Sequence, residues 1–300
     1  MGRDRWHLFL DLRGQERGPD DRGEARLVQA LVGRRWRYAI RQYRCLRPPV
    51  PEALAAVLSD PGFPFVCAVS LVAGLVYGFA GFGSALIFMP LATLFLPPPV
   101  AVAAFSMSAL ASLVTVLPGA WKVAERRAAL GMVAACVLFT PLGVLALRFA
   151  PPEVIRTAIG ALTLLTLAAL LAGWRVPVGA GLRARLGIGA LAGLTGGSTG
   201  LNGPPVILFN LGTEGQPVPV TRGNLAVFLT LSSLTFLPQL WLQGLVSTEA
   251  MWLGLLLLAP YGIGTGIGTW LFQPERAGFY RGFAYALIGA AGLAALPVWY

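Results

Sequence analysis

Long apolar runs separated by short polar breaks follow one another along the chain from Phe63 onward. A run of roughly 20 apolar residues can cross about 30 Å of hydrocarbon as a helix. The pattern therefore predicts an all-α polytopic membrane protein with about eight transmembrane helices. The predicted spans lie near 63–96, 100–118, 128–149, 154–173, 186–211, 220–245, 250–271 and 280–298.

Glycine interrupts the first and the fifth of these runs. Gly78, Gly81 and Gly83 divide the first run, and a denser stretch from Gly193 to Pro205 divides the fifth. At this glycine density we expect neither stretch to be continuous helix. Each broken unit is counted as one interrupted crossing, and a re-entrant hairpin is the alternative geometry for both.

The two interrupted runs open two copies of one unit. A shift of 115 residues superimposes Gly78 on Gly193 and Pro90 on Pro205. The repeat divides the chain into an N-terminal tail (1–62), a first membrane repeat (63–185) and a second (186–300). With four crossings in each unit, the two halves are expected to run parallel. Duplicated units with interrupted segments at corresponding places are typical of transporters, whose binding sites lie at those segments.

Composition supports a chain that is solvated by lipid. It is 56% hydrophobic and 12% charged, whereas soluble domains are roughly 25% charged. The basic residues are spread through the tail and the loops, so no patch for nucleic acid is indicated. His7 is the only histidine and lies in the tail. We therefore predict no catalytic residue, no metal site and no cofactor.

The basic loops predict the orientation in the membrane. Two spans separate the loop of Lys122, Arg126 and Arg127 from the loop of Arg175, Arg183 and Arg185, so both loops share one side. If each broken unit crosses once, the Arg-rich tail falls on that side too. Because cytoplasmic loops are rich in Lys and Arg, both termini are predicted to be cytoplasmic.

The tail itself has two readings. Apolar residues recur at helical spacing between arginines over 28–43, as in a basic amphipathic helix that lies on an anionic membrane surface. The alternative is a flexible tail without a fixed structure.

The broken segments are the predicted substrate site. Unwound backbone at membrane depth is tolerated only beside protein or a watery cavity. Half-helices that start near Ser84 and Pro204 would direct unpaired N–H groups and positive dipole ends at such a cavity, which suits an oxyanion. The predicted substrate-binding residues are Gly81, Gly83, Ser84, Gly196, Gly197, Ser198, Thr199, Asn202, Gly203 and Arg222.

Charge inside the spans is scarce, and this limits the mechanism. The predicted spans contain no Asp, Glu, His or Lys, whereas proton-driven carriers usually keep a protonatable residue in the membrane. Coupling would use protonation of the anion, an interfacial group such as Glu214 or Glu249, or no proton at all. Arg222 is a candidate for neutralising an entering anion, and snorkelling to the interface is its alternative role.

At these residues the chain resembles the sulfite exporter TauE/SafE family of bacterial membrane proteins, over about 63–298. The resemblance rests on a doubled motif, Gly78-x-x-Gly81-x-Gly83 leading to Pro90 and Gly193-x-x-Gly196-Gly197 leading to Gly203-Pro204-Pro205. It implies a multi-pass inner-membrane secondary transporter that exports sulfite, organosulfonates or related small anions. The alternative is a membrane anchor or scaffold subunit, and association into a homo-oligomer is left open.

Overall fold

The fold is built from helices throughout the part of the chain that is described. The computed structural model describes residues 50–173, 181–212 and 217–295, and no strand occurs among them. The predicted tail helix at 28–43 lies outside these residues. The helices are α1 (Val50–Ser59), α2 (Phe63–Ala80), α3 (Ser84–Phe95), α4 (Pro98–Ser108), α5 (Ser112–Thr115), α6 (Leu117–Val123), α7 (Arg126–Phe149), α8 (Pro152–Leu171), α9 (Leu182–Thr199), α10 (Gly203–Gly212), α11 (Val218–Leu242), α12 (Thr248–Leu271) and α13 (Ala277–Ala294).

Six segments within the described ranges are long and apolar enough to cross a membrane. They are α2, the α4–α5 segment, α7, α8, α11 and α12. The all-helical membrane fold is therefore confirmed. The helices α9 and α13 have 18 residues each but are not among the six, and α9 is rich in glycine and carries Arg183 and Arg185. The predicted count of eight crossings is not reached on length and apolarity.

Two glycine seams hold the bundle together, one between α2 and α12 and one between α9 and α7. A Cβ at Gly78 would lie 2.8 Å from Gly268 Cα, and a Cβ at Gly197 would lie 2.8 Å from Gly143 Cα. No side chain fits in such a space, so the helix backbones touch directly. This is the close packing that small residues allow between membrane helices, where dispersion contacts replace the hydrophobic effect.

The two seams correspond to each other residue by residue. Gly78 faces the Thr265 carbonyl oxygen, and Gly197 faces the Thr140 carbonyl oxygen in the same way. Gly78 and Gly197 are 119 residues apart, not 115. The 115-residue shift inferred from the sequence is therefore wrong by four residues. Glycines spaced about one helical turn apart still superimpose when one copy of the repeat is shifted by a turn, so the sequence alone does not distinguish the two alignments.

The second glycine stretch is mostly helix, which corrects the prediction that it is unwound from Gly193 to Pro205. The helix α9 continues through Gly193, Gly196 and Gly197 and ends at Thr199. Gly193 and Gly197 pack on the backbone of α7. Packing in the seam thus offsets the low helix propensity of these glycines, and only residues 200–202 leave the helix.

The first broken unit is a hairpin, so the prediction of a single interrupted crossing is wrong. The end of α3 lies beside the beginning of α2: the Phe95 ring is 4.9 Å from the Phe65 ring, and Phe95 also packs against Gly62. Because only three residues separate α2 from α3, α3 must run back along α2. The re-entrant alternative is the geometry observed.

The second broken unit folds in the same way. Arg185, at the start of α9, and Asn210, near the end of α10, line one small cavity. The helix α10 therefore returns toward the beginning of α9, just as α3 returns toward the beginning of α2. Each hairpin ends at the face of the bundle from which it started.

The hairpins place the basic loops at the end of the bundle opposite to the start of α2. The segment α4–α6 begins next to Phe95 and finishes beside Glu125, whose carboxylate is 3.3 Å from Arg185. We call this end, with Lys122, Arg126, Arg127, Arg183 and Arg185, the basic face. The other end is called the opposite face.

The last helix also ends at the opposite face. Gly292 packs on Leu164, and Gly289 packs on Leu167, so α13 runs antiparallel to α8. The helix α8 starts just after α7 reaches the opposite face. The described ends of the membrane part therefore lie at the opposite face. The prediction that both termini are cytoplasmic assumed that each broken unit crosses once, and it is not confirmed.

Replacing Gly193 by alanine should destabilise the protein, because its Cβ would lie 3.0 Å from Thr140 N and closer still to the Cys136 carbonyl oxygen. We expect a loss of about 1–3 kcal/mol, seen as a lower melting temperature of the purified protein. Gly187→Ala is the matched control, because a Cβ at Gly187 meets nothing within 4 Å. Equal melting temperatures for the two variants would contradict the seam.

Candidate functional site

The tip of the first hairpin is built by two glycines with left-handed backbone. Gly81 has φ 78° and ends α2 with its N–H bonded to the Tyr77 carbonyl oxygen, and Gly83 has φ 95° just before α3. Residues with a Cβ rarely adopt such angles. The turn lets α3 begin at Ser84 without a side-chain cap, so the N–H groups of its first turn are available to a ligand.

The tip of the second hairpin uses one such glycine. Gly200, at φ 76°, ends α9, and Thr199 Oγ1 accepts a hydrogen bond of 3.2 Å from the Leu201 N–H. The helix α10 then begins at Gly203, followed by Pro204. Proline near the start of a helix leaves its hydrogen-bond pattern intact, because those first positions have no intrahelical acceptor.

The starts of α3 and α10 line one cavity in the centre of the bundle. Four predicted site residues meet there: Gly83, Ser84, Asn202 and Gly203. The cavity volume is about 20 Å³, room for roughly one water molecule. A bound oxyanion would therefore require the hairpin tips or the surrounding side chains to move apart.

Asn202 is the most polar of these side chains and is only 7% exposed. Its Nδ2 donates a 2.6 Å hydrogen bond to Ser232 Oγ, and Ser232 donates to the Leu229 carbonyl oxygen. The position of the amide is thus set by α11. Gly196 supports it from behind, because a Cβ there would lie 2.7 Å from Asn202 Cβ.

Hydroxyl groups form the rest of the polar wall. Tyr77 Oη is 2.9 Å from Thr230 Oγ1, and Ser112 Oγ donates to the same Thr230 oxygen over 3.1 Å. The Tyr261 side chain faces Ser84 in the cavity. The charged side chains Asp, Glu, Lys and Arg are absent from the described lining. The site offers hydroxyls, an amide and backbone N–H groups instead of a fixed charge.

Sequence reasoning missed the tyrosines Tyr77 and Tyr261 and the serines Ser112 and Ser233, which all line the cavity. The available signal was a tyrosine inside an apolar run, since a buried tyrosine hydroxyl usually finds a polar partner. No comparable signal distinguishes Ser112 or Ser233 from other serines in the spans.

Several predicted site residues lie away from the cavity lining. Gly197 is packed against α7. Ser198 Oγ donates to the Leu194 carbonyl oxygen over 2.9 Å, and Thr199 Oγ1 donates to the Thr195 carbonyl oxygen over 2.7 Å. These hydroxyls satisfy their own helix, as serine and threonine commonly do in apolar surroundings.

Arg222 also lies outside the cavity. Its guanidinium donates to the Gly78 carbonyl oxygen and lies over the Phe272 ring, 4.0 Å from the centroid. Gly81 packs on its aliphatic stem. A cation at the carbonyl end of α2 complements the helix dipole, and the stacking is a cation–π contact. Arg222 thus fastens the first hairpin tip to α11.

The second hairpin has an apolar residue at the matching place. Val102 packs against Gly200 just as Arg222 packs against Gly81. The shift of 119 residues that relates the two seams also relates Gly81 to Gly200. Val102 is 1% exposed. The two hairpin tips therefore differ in the residue that packs on them, which is charged at the first tip and apolar at the second.

The described residues contain no group of three or more His, Cys, Asp or Glu side chains that could hold a metal ion. A pair of helix starts after glycine turns faces a central polar cavity inside an apolar helical bundle. The sequence profile described as "Sulfite exporter TauE/SafE" matches residues 66–295. The chain belongs to the sulfite exporter TauE/SafE family.

The match covers both hairpins and every helix from α2 to α13, so the resemblance inferred from the doubled glycine motif is confirmed. The family is one of membrane transporters for sulfur anions. No curated protein and no solved structure matches the chain.

Substitutions at Arg222 test its structural role. We expect Arg222→Val to fold and to melt within about 5 °C of the original protein, because Val102 fills the corresponding place. Arg222→Lys should be less stable than Arg222→Val, since an ammonium cannot both stack on Phe272 and reach the Gly78 carbonyl, and it remains partly buried. Thermal unfolding of the purified variants measures the order, and the reverse order would contradict this account.

Proposed function

We propose that the protein is a secondary transporter that exports a small anion, either sulfite, an organosulfonate or a related organic acid. The anion would bind between the two hairpin tips. One observation carries the proposal: two helices, α3 and α10, begin at the same cavity, and α3 begins there without a side-chain cap over its first N–H groups. Family membership favours transport over the alternative role of an anchor or scaffold.

The chemistry of the cavity suits an anion. Helix N-termini carry roughly half a positive charge each, and Asn202 and Ser84 add side-chain donors. No acidic group lines the described cavity to repel a negative ligand. Because these partial charges are weaker than a fixed arginine, they can hold an oxyanion and still release it, as transport requires.

We propose that any coupling of anion transport to proton movement involves no acidic side chain of the central site. The lining offers no carboxylate or imidazole to carry a proton. A proton would have to travel on the anion itself or use an interfacial carboxylate such as Glu249, which lies in the first turn of α12 at the opposite face. Exchange or uniport would need no proton.

We further propose that the two halves are inverted, each with one hairpin and three crossings. The hairpins α2–α3 and α9–α10 would return to the face where they begin, so the six crossings would be the α4–α6 segment, α7, α8, α11, α12 and α13. This set differs from the six long apolar segments by including α13 instead of α2. Inverted repeats place equivalent segments on both sides of a midplane site. The short basic loops favour a cytoplasmic location for the basic face, and the described ends of the bundle would then lie on the other side.

Transport of the anion is tested by flux into proteoliposomes. We expect uptake of sulfite or sulfoacetate, and a loss of at least tenfold in Asn202→Leu, which removes the amide from the cavity. Asn202→Asp should lose more, because it keeps the size but adds a negative charge. Absence of flux for sulfite, thiosulfate, sulfoacetate and simple carboxylates would overturn the proposal.

The control for this experiment is Thr195→Val, because Thr195 lies on α9 and donates to the Leu191 carbonyl oxygen of its own helix. It should transport as the original protein does. Melting temperatures of all variants separate a transport defect from unfolding.

The orientation is tested with single cysteines in a variant that lacks Cys45, Cys67 and Cys136. A membrane-impermeant maleimide should label Ser59→Cys in intact cells and Val123→Cys only after permeabilisation. The opposite result would place the basic face outside. Labelling of both positions from one side would contradict the hairpin geometry.

A further inference from the structure

A second small cavity lies at the basic face, at the other end of α10 from the central cavity. Its described lining includes Arg185, Asn210 and Asn224 together with the first turn of α7 at Ala128 and Ala129. Seven residues separate Gly203 from Asn210, which is roughly 10 Å along the helix. We call this space the vestibule. Its volume is about 10 Å³, so, like the central cavity, it would have to widen to hold an oxyanion.

The first turn of α7 presents donors to the vestibule. Glu125 precedes the helix as its cap residue but makes no capping hydrogen bond with its side chain. The N–H groups of the first turn are therefore not satisfied by a side-chain cap. The positive end of the dipole of a 24-residue helix adds to their attraction for an anion.

Asn224 supplies a second, independent donor. It is 6% exposed, and its Oδ1 accepts a 2.7 Å hydrogen bond from the Glu125 N–H. Because a backbone N–H can only donate, this bond fixes which end of the amide is oxygen. The Nδ2 group is then turned away from Glu125, and it has no hydrogen-bond partner among the described residues. An amide donor without a described partner, on a side chain that is 6% exposed and lines a cavity, indicates a place for an acceptor.

The Arg185 guanidinium of the vestibule is already paired with the Glu125 carboxylate. Arg185 Nη1 and Nη2 both lie 3.3 Å from one oxygen of Glu125. The Glu125 side chain is 44% exposed, whereas Arg185 is only 19% exposed. This ion pair is weak, because both guanidinium nitrogens make long contacts with the same carboxylate oxygen and the carboxylate is nearly half exposed to water. A small oxyanion that engages the guanidinium with two oxygens could displace it.

We propose that the vestibule is a second anion-binding site, which loads the central site from the basic face. Arg185, Asn224 Nδ2 and the first turn of α7 hold the oxyanion, and the Glu125 carboxylate is the built-in competitor that it displaces. The inference rests on the proposed function for the identity of the anion. The surrounding Lys122, Arg126 and Arg127 raise the local anion concentration.

The asymmetry of the bundle supports this assignment. The position of Asn224 corresponds to that of Ala104 on the opposite face, where Ala104 packs against Gly254. An alanine has no donor for an anion. Only the vestibule at the basic face therefore has this amide at its wall.

Sulfite binding to the full-length protein in detergent tests the proposal. The measurement is calorimetry in the Asn202→Leu background, in which the central site is disabled. We expect sulfite to bind still, with several-fold higher affinity in Glu125→Gln because the competitor loses its charge. Asn224→Asp keeps the acceptor for the Glu125 N–H but replaces the donor by a carboxylate, and should weaken binding about tenfold or more.

Two controls match these variants. Arg183→Gln removes an exposed charge two residues before Arg185 that is not in the described lining, and Glu153→Gln removes a carboxylate at the start of a helix on the opposite face. Neither should change the affinity by more than about twofold, the effect of a remote charge screened by salt. Melting temperatures check that each variant is folded.

The possible results separate the two proposals. If sulfite does not bind in the Asn202→Leu background, or if Glu125→Gln changes no more than Glu153→Gln does, the vestibule site is overturned. Normal flux in Asn224→Asp would likewise overturn its loading role while the proposed function stands. Binding that follows the predicted order in a protein that shows no flux would retain the anion site and refute the transporter.

Discussion

Direct backbone contact along two glycine seams is the constraint on which the rest of the structure depends. A hairpin inside an apolar bundle exposes N–H and C=O groups at its tip, and each such group costs several kcal/mol if lipid surrounds it. The seams press α2 onto α12 and α9 onto α7, so each hairpin is held deep among other helices. The tips at Gly81 and Gly200 can then leave the helix within protein, where hydroxyls, amides and backbone groups surround them.

The same seams explain which features the sequence could and could not predict. The apolar runs predict the long helices well, and the starts of the half-helices near Ser84 and Gly203 follow from the change from glycine to apolar residues. Glycines that pack and glycines that turn look alike in a sequence, however. Gly197 is in a helix and Gly200 has positive φ, and only the facing backbone of α7 distinguishes the two roles.

The direction of the short helices could not be predicted from the sequence for a different reason. A 12-residue helix such as α3 is too short to cross, and its length fits either the second half of one crossing or the return arm of a hairpin. The contact that decides between them joins Phe65 to Phe95, two aromatic residues that an apolar pattern cannot pair. Because of this contact α3 returns along α2, and the described ends of the bundle lie at the opposite face. The inverted relation of the two halves that we propose rests on this return.

Matching positions in the two halves carry different residues, and the polar members are gathered at the basic face. Arg222 corresponds to Val102, and Asn224 corresponds to Ala104. In a carrier with no coupled energy source, such differences cannot set the direction of net transport, which follows the gradient of the solute. They can set the affinity on each side separately, because each side binds in its own conformation. A vestibule that binds at the basic face would let the carrier load at low anion concentration there, while the apolar counterpart on the opposite face would favour release.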